Sequence, residues 1–551
     1  MAILMKCTAE KQGKVMMKGK SILILGAGLM QKPAIESAKQ LGLKVFVIDA
    51  NPDALCVPYA DEFKKIDLKD REEIAKYAEE LKEKENLAAI FTAGTDFSAS
   101  VAYASEKTGL LSHSFEAAVN ASDKTKMREC FKKASVSSPD FTKIHRNKIC
   151  EILTKEFVEN LKYPMVAKPS DNMGARGCRM VRNKSELIYS VEEAVKNSRT
   201  STCILEDYME GPEYSIDALV YDGTMTITGF ADRHIFFPPY FIETGHTMPT
   251  EISREKYLEL VKTFSDGVKA LGLTRGAAKA DIKYTKNGPE IGEIAARLSG
   301  GYMSGWTFPY SADFNLTLEA EKIALGIKPD ELEKHRKSIE LNSAFKMYEV
   351  VSKKVSAERA WISIPGKIKK IYGLDQEYDS SVIKNILPRV KEGDEVNFPR
   401  NNVEKCGNII SLADDRQTAV ISCENFIKNI TIELEKNNPS TENFLEGKRS
   451  RFEKGFPPCA FDISGGILKL LEAELDKKDE WIPEGMNVLN YIPDALNKNE
   501  ILMLKDWNHL TLKESLEKFN ILRKGHKKIE YRKFWLYLIR GGIQGALYCA
   551  E

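Results

Sequence analysis

The chain has 551 residues, with 81 Lys and Arg against 80 Asp and Glu and a formal net charge of +1. That balance offers no whole-chain electrostatic argument for a nucleic-acid or membrane partner. No apolar run is long enough to span a bilayer. The ten cysteines (Cys7, Cys56, Cys130, Cys150, Cys178, Cys203, Cys406, Cys423, Cys459 and Cys549) contain no C-x-x-C pair. A zinc site or disulfide framework is therefore not indicated, and a reducing, cytoplasmic setting is expected.

The length suits three or four domains. Met1 to Lys20 is rich in Lys and Met but lacks an apolar core, so it reads as a frayed extension rather than a signal peptide. Ser21 to Leu25 reads as a buried strand, and Gly26-Ala27-Gly28 turns it into a helix that Pro33 helps to start. Val45 to Asp49 and Ala88 to Phe91 are further strands; their alternation with helices predicts an open parallel α/β sheet. Gly26-x-Gly28 with a later Asp49 invites a dinucleotide reading. Gln31, however, occupies the place of the third fingerprint glycine. The plainer reading is a sheet domain that helps to shape a substrate cleft.

Helices are expected from Lys124 to Ala134 and from Glu151 to Asn160. Met165 to Ala167 reads as a buried strand ending in Lys168, a point charge suited to phosphate. In the loop that follows, Gly174 and Gly177 let backbone N–H groups approach anionic oxygens. Cys203 to Glu206 is a strand running into the acidic corner Asp207-Tyr208-Met209-Glu210 and a turn at Gly211-Pro212. An adenine needs a flat apolar slot there, and Glu213 is placed to accept from a ribose. Further on, Asp281 and Glu293 lie near-symmetrically about Asn287-Gly288, a hairpin signal. A three-residue loop would set the two carboxylates opposite each other on one face. They would repel there without a cation between them, and Mg²⁺ is commonly shared between carboxylates and nucleotide phosphates. Arg297 follows as a fixed cation for a phosphate or carboxylate.

In this order these pieces resemble the ATP-grasp superfamily, across roughly residues 20 to 435. The resemblance implies ATP between two small α+β subdomains and Mg²⁺ on the acids of the last hairpin. By match, Lys124 in Ser122-Asp123-Lys124 and Lys168 are the phosphate lysines. Glu206, Tyr208 and Met209 belong to the adenine hinge, Glu213 is the ribose acid, and Asp281 and Glu293 are the metal acids. The family pattern often reads Glu-x-Asn-x-Arg, whereas this chain has Ala295 at the Asn position. A second metal would then lack that side-chain ligand.

The segment Phe241-Ile242-Glu243-Thr244-Gly245-His246-Thr247-Met248-Pro249 is similar to one in amino-acid (dipeptide) ligases of this superfamily. Glu243 is a candidate for a substrate ammonium, His246 for a carboxylate or intermediate oxygen, and Arg297 completes the expected substrate site. Catalytic roles fall on Arg297, Lys168 and His246. Phe236, Phe237 and Tyr240 line a pocket or belong to the core; Trp306 is a candidate pocket floor.

The expected domains are an α/β domain at 1–120, an ATP-grasp domain at 121–335, and a β-rich ligase-type domain at 336–436. A mostly helical extension occupies 437–551; its basic run 523–528 reads as a solvated face. The expected reaction is ATP- and Mg²⁺-dependent amide formation through an acyl phosphate, with Mn²⁺ as a substitute metal. The expected partners are small carboxylates and amines, with no nucleic acid and no membrane, and a possible homodimer. Two alternatives stand beside it: an ATP-binding scaffold that has lost turnover, and a bicarbonate-activating enzyme of the biotin carboxylase type.

Overall fold

The computed structural model describes residues 17–450, 452–477 and 480–550. The expectation for the first residues, and Cys7 with it, falls outside that set, apart from Met17 to Lys20. Met17 is buried and donates its N–H to Leu41.

Near the N-terminus, Ser21–Leu25, Lys44–Asp49, Glu62–Lys65 and Leu87–Phe91 form a four-stranded sheet with parallel pairing throughout. Its apolar strands are covered on both faces, as parallel sheets require. The dinucleotide reading fails for a steric reason. The Gln31 side chain folds back over Gly26 and Gly28, into the space a pyrophosphate would use, and its Nε2 donates to the Ala93 carbonyl at 2.5 Å. Asp49 instead accepts from the Ala27 N–H at 2.8 Å and so is spent locally.

A second four-stranded sheet has the order Phe141–His145, Thr202–Asp207, Met165–Pro169, Arg179–Val181 and pairs antiparallel. The helix Lys184–Lys196 covers it. The helix expected over 151–160 is in fact two short ones, Ile149–Ile152 and Lys155–Asn160, because the Thr154 side chain caps the second by accepting from Phe157.

The third sheet forms one wall of the molecule. It runs from Gly288–Ala295 through Gly276–Thr285, Glu213–Tyr221, Thr224–Phe236 and Ile242–Met248. It continues without a break into Val355–Trp361, Gly407–Ala413 and Ile383–Pro388. One ladder thus crosses the expected boundary at 335/336: Ile242–Met248 pairs directly with Val355–Trp361.

Residues 437–551 are less helical than expected. The helices Pro439–Leu445, Gly465–Leu475, Asn499–Leu502, Leu512–Leu522 and Tyr531–Cys549 are separated by long irregular stretches, and a two-stranded ribbon pairs Trp481–Ile482 with Ile529–Glu530. Gly542, with φ 60°, kinks the last helix. The segment packs on the body. Phe444, Leu445, Phe456, Tyr537 and Tyr548 share one core with Trp361, Ile364, Ile409 and Leu434. Buried Gln544 donates to Ser363 Oγ at 2.8 Å and accepts from the Ile364 N–H at 3.2 Å. Arg523 is not solvated but paired with Glu433 at 2.6 Å.

Candidate active site

A cleft of about 440 Å³ lies between the second sheet and the wall, closed at one end by the N-terminal domain. Nine cations and six carboxylates line it, an excess that suits a polyphosphate in a chain of nearly zero net charge.

The acidic hairpin owes its geometry to a bulge. Thr285 pairs with Gly288 across the two-residue loop Lys286-Asn287, and that register alone would set Asp281 opposite Gly292. Gly292 is the extra residue, and beyond it Asp281 opposes Glu293. The expected three-residue loop is therefore corrected to a tight turn plus a bulge. A Cβ at Gly292 would stand 3.2 Å from the Asp281 carbonyl oxygen and 3.4 Å from Met209 Cε, so the bulge leaves little room for a side chain. Both acids face the cleft and are held by lysines and an arginine. Asp281 pairs with Lys279, and with Arg233 at 2.7 Å; Glu293 accepts from Lys124 at 3.4 Å. Burial works against ionising Asp281, but Arg233 and Lys279 outweigh it and keep its carboxyl below the usual range. Two carboxylates facing one another suit a hard divalent cation such as Mg²⁺. Among the described residues no cluster of three or more potential metal-binding side chains occurs, so further ligands would come from phosphate or water.

Opposite the hairpin, Lys168 ends its strand at the cleft, bound to Glu206 at 2.5 Å. Glu206 lies inside the cleft wall, 2% exposed, and Arg128 binds it from the other side at 2.8 Å. Burial opposes its ionisation, yet Arg128 and Lys168 together hold its carboxyl below the normal range. Its carboxylate is thus committed to the two cations. The flat slot is formed by its neighbours: Tyr208 and Phe241 stack with centroids 6.3 Å apart, and Val166, Met209 and Ile282 complete the lining. Lys283 lies over Tyr208 and donates to the Met209 carbonyl at 3.1 Å. Glu213 lines the cleft but is bound by Arg233 at 2.5 Å.

Gly174 lines the cleft, at φ 65°, and its carbonyl accepts from the Asn402 N–H at 2.9 Å. Gly177 does not. It faces Asn197, whose Cβ would lie 2.6 Å from an added Cβ, so its role is to pack the loop on the helix. Lys124, at the start of its helix, reaches the cleft and donates to the Asn172 carbonyl at 3.0 Å, tying the loop to the hairpin.

At the other end, Arg297 makes two bonds to Asp96 of the N-terminal domain, at 2.9 and 2.7 Å. Glu243 lines the cleft and meets Arg233 at 2.6 Å. His246 is displaced from the expected place. It is wholly buried behind the cleft, 3.3 Å from Glu243 and 3.0 Å from Glu358, because Gly301 packs over it; a Cβ there would come within 2.8 Å of Glu243 and 3.0 Å of the His246 ring. Burial lowers the imidazole pKa, but Glu243 and Glu358 raise it by more. His246 thus meets Glu243 from behind and does not line the cleft. Phe237 and Tyr240 belong to the core beside Phe398 and Phe456, Phe236 is exposed, and Trp306 meets Tyr302 edge to face outside the cleft wall.

Several functional-site residues escaped sequence reasoning. Arg128 also donates to the Gly292 carbonyl at 2.6 Å, so one buried side chain ties the Lys168–Glu206 pair to the bulge. Asp217 receives the Ser299 N–H and Oγ at 3.2 and 2.6 Å and steadies the Gly300-Gly301 turn. Its burial pushes its carboxyl up to about 6. Arg389, Asn402 and Lys405 reach the cleft from the ligase-type segment. A helix-start signal was the only cue for Arg128, and nothing local marked the rest.

Comparison with known proteins agrees with this geometry. Residues 161–305 match the ATP-grasp domain, and residues 360–435 match the L-amino acid ligase C-terminal domain 2. The chain thus carries an ATP-grasp domain followed by an L-amino acid ligase C-terminal domain.

Carnosine synthase 1 of Mus musculus is 24% identical over 351 residues, covering 60% of this chain and 42% of that protein. Alanine–anticapsin ligase of Bacillus subtilis is 26% identical over 325 residues, covering 54% of this chain and 66% of that protein. The crystal structure of an L-amino acid ligase from Bacillus licheniformis superposes with a TM-score of 0.64 at 20% identity, over 76% of this chain and all of that one. The chain spans less than half the length of the carnosine synthases it matches. Among the described residues, no helix is long and apolar enough to cross a membrane.

Proposed function

We propose that this protein is an ATP-dependent carboxylate–amine ligase that joins an amino acid to an amine, itself an amino acid, through an acyl phosphate. The observation that carries the reading is the meeting, in one cleft, of Lys124 and Lys168 with the facing carboxylates of Asp281 and Glu293. Asp281 and Glu293 would hold Mg²⁺, which when bound would offset negative charge on the polyphosphate.

Lys124 and Lys168 spread the charge of the transferring group, so catalysis is mainly positioning and electrostatics. A substrate carboxylate oxygen attacks the γ-phosphorus and the bond to ADP breaks. The amine nitrogen then attacks the acyl carbon, phosphate leaves, and the amine proton passes to solvent. Arg297 and the backbone of the Gly300-Gly301 turn are placed to stabilise charge on the acyl oxygen. Loop 171–177 covers the cleft and keeps water from an intermediate that hydrolyses readily. Glu243, the carboxylate at the far end of the cleft, is the candidate for the substrate ammonium.

The test is phosphate release from ATP across a panel of amino-acid pairs, with one carboxylate labelled with ¹⁸O. The reading expects ADP, an amide, and one labelled oxygen in phosphate per turnover. AMP and pyrophosphate, or phosphate without label, would overturn it. Nucleotide binding with no phosphate release for any pair would support instead the binding-only reading that Ala295 suggests.

A further inference from the structure

Glu453 sits where three parts of the molecule meet, and all three bring it a donor. Tyr240, from the turn between Thr224–Phe236 and Ile242–Met248, donates its hydroxyl at 2.7 Å. Arg400, from the ligase-type segment, pairs with the other carboxylate oxygen at 3.0 Å. Arg179, on the edge strand of the second sheet, lies 3.9 Å away, 2% exposed, between the Tyr189 and Tyr240 rings. The neighbours of Glu453 add to the grip. Arg179 donates to the Phe452 carbonyl, Arg182 donates to the Lys454 carbonyl at 3.0 Å, and Phe452 stacks on Tyr189 at 4.8 Å with planes 5° apart.

Arg179–Val181 is the strand into which loop 171–177 runs. It is three residues long and pairs on one side only, with Met165–Pro169. Its other edge meets the 238–240 turn, where Met180 donates to the Pro239 carbonyl at 2.7 Å. A short edge strand has little ladder of its own to fix it, so whatever holds its free side sets where loop 171–177 rests.

We infer that Glu453 is a positioning residue for the cleft: the C-terminal extension supplies the latch that holds loop 171–177 and its strand closed over the nucleotide. The inference rests on the ligase reading for the meaning of closure, but the latch itself concerns nucleotide retention and loop mobility. It gives residues 452–454 a task that stability alone does not require.

The experiment uses the full chain as wild type, Glu453→Gln, Glu453→Asp and Arg400→Gln. Hydrogen exchange is followed by mass spectrometry with and without ADP, alongside ADP calorimetry. In Glu453→Gln and Arg400→Gln, exchange in peptides spanning 171–181 should quicken about tenfold, and ADP affinity should fall by a similar factor, the scale of one charge-assisted contact. Exchange across the 276–295 hairpin should not change, and Glu453→Asp should recover part of the protection. Where turnover is measurable, KM for ATP should rise more than kcat falls.

Wild-type exchange at 171–181 in Glu453→Gln overturns the latch, as does equal acceleration of the hairpin, which would mark general loosening. Should Glu453→Gln prove insoluble, Arg400→Gln, whose side chain is 54% exposed, decides by the same readout. Failure of every amino-acid pair to release phosphate would sink the ligase reading while leaving these exchange and binding results to judge the latch.

Discussion

Replacing Arg128 with Met keeps the length of the side chain and removes its charge. Arg128 is 1% exposed, bound to Glu206 at 2.8 Å and donating to the Gly292 carbonyl at 2.6 Å. Breaking a buried pair by removing one partner costs about 3–5 kcal/mol, because the other charge is left uncompensated. Lys168 still faces Glu206 at 2.5 Å, so the lower end applies to that part. The lost bond to Gly292 adds about 1.5–3 kcal/mol. The two losses share one network and will not add in full, which leaves about 3–5 kcal/mol against a typical domain stability of about 5–15 kcal/mol. The variant should fold but unfold at distinctly lower urea, measured by following the ATP-grasp transition through tryptophan and far-UV signals. Glu206 also supplies a pH signature. Its carboxyl is depressed in the fold, so its stabilisation is present above its unfolded pKa and lost as pH falls through the folded value. The variant should show a flatter acid limb than wild type. A destabilisation below about 1 kcal/mol, with the acid limb unchanged, would refute the view that Arg128 braces both sides of the cleft.

Glu293→Gln should abolish Mg²⁺-dependent turnover with an unchanged thermal transition; undiminished turnover would count against the metal assignment. Lys168→Met should weaken ATP binding about tenfold by calorimetry, the loss of one charge-assisted contact. Asp217 has a raised carboxyl, from 3.8 to about 6, so it stabilises the fold only at low pH and its contribution is lost as pH rises across that window. Asp217→Asn should therefore stabilise the protein above pH 6, by up to ~3 kcal/mol for a shift of roughly two units, and flatten the curve below it. Truncation after Asn438 should give insoluble protein, because Trp361, Ile364 and Leu434 lose the aromatic side chains packed on them. A soluble truncated chain would show that the extension is not part of the core.

The site was legible where chemistry is local in sequence. Lys168 lies in the strand that the apolar run Met165 to Ala167 marked, and the Asn287-Gly288 signal marked the hairpin that carries Asp281 and Glu293. The ordered set of such pieces was enough to reach the resemblance that the ATP-grasp domain match at 161–305 bears out. What stayed hidden was supplied from a distance. Arg128 finds the Gly292 carbonyl 164 residues on, Arg297 finds Asp96 201 residues back, and Arg179 finds Phe452 273 residues on. No period or turn signal encodes such pairings. His246 shows the converse error: its sequence neighbourhood pointed to substrate, but the close approach of Gly301 walls it off. The bulge at Gly292 is a further case, since symmetry about the turn suggested a longer loop when the extra residue lay five positions further along.

The unbroken wall has a kinetic consequence. Its hydrogen-bonded ladder carries the acidic hairpin, Glu243 and the strands that bear the ligase-type segment as one stiff body. A hinge between nucleotide and substrate halves would have to tear that ladder. Opening of the cleft on that side would then fall to the opposing four-stranded sheet, a jaw working against a fixed anvil. Sequence changes in that jaw, or in what grips it, would tune the pace of the cycle without touching a reacting atom.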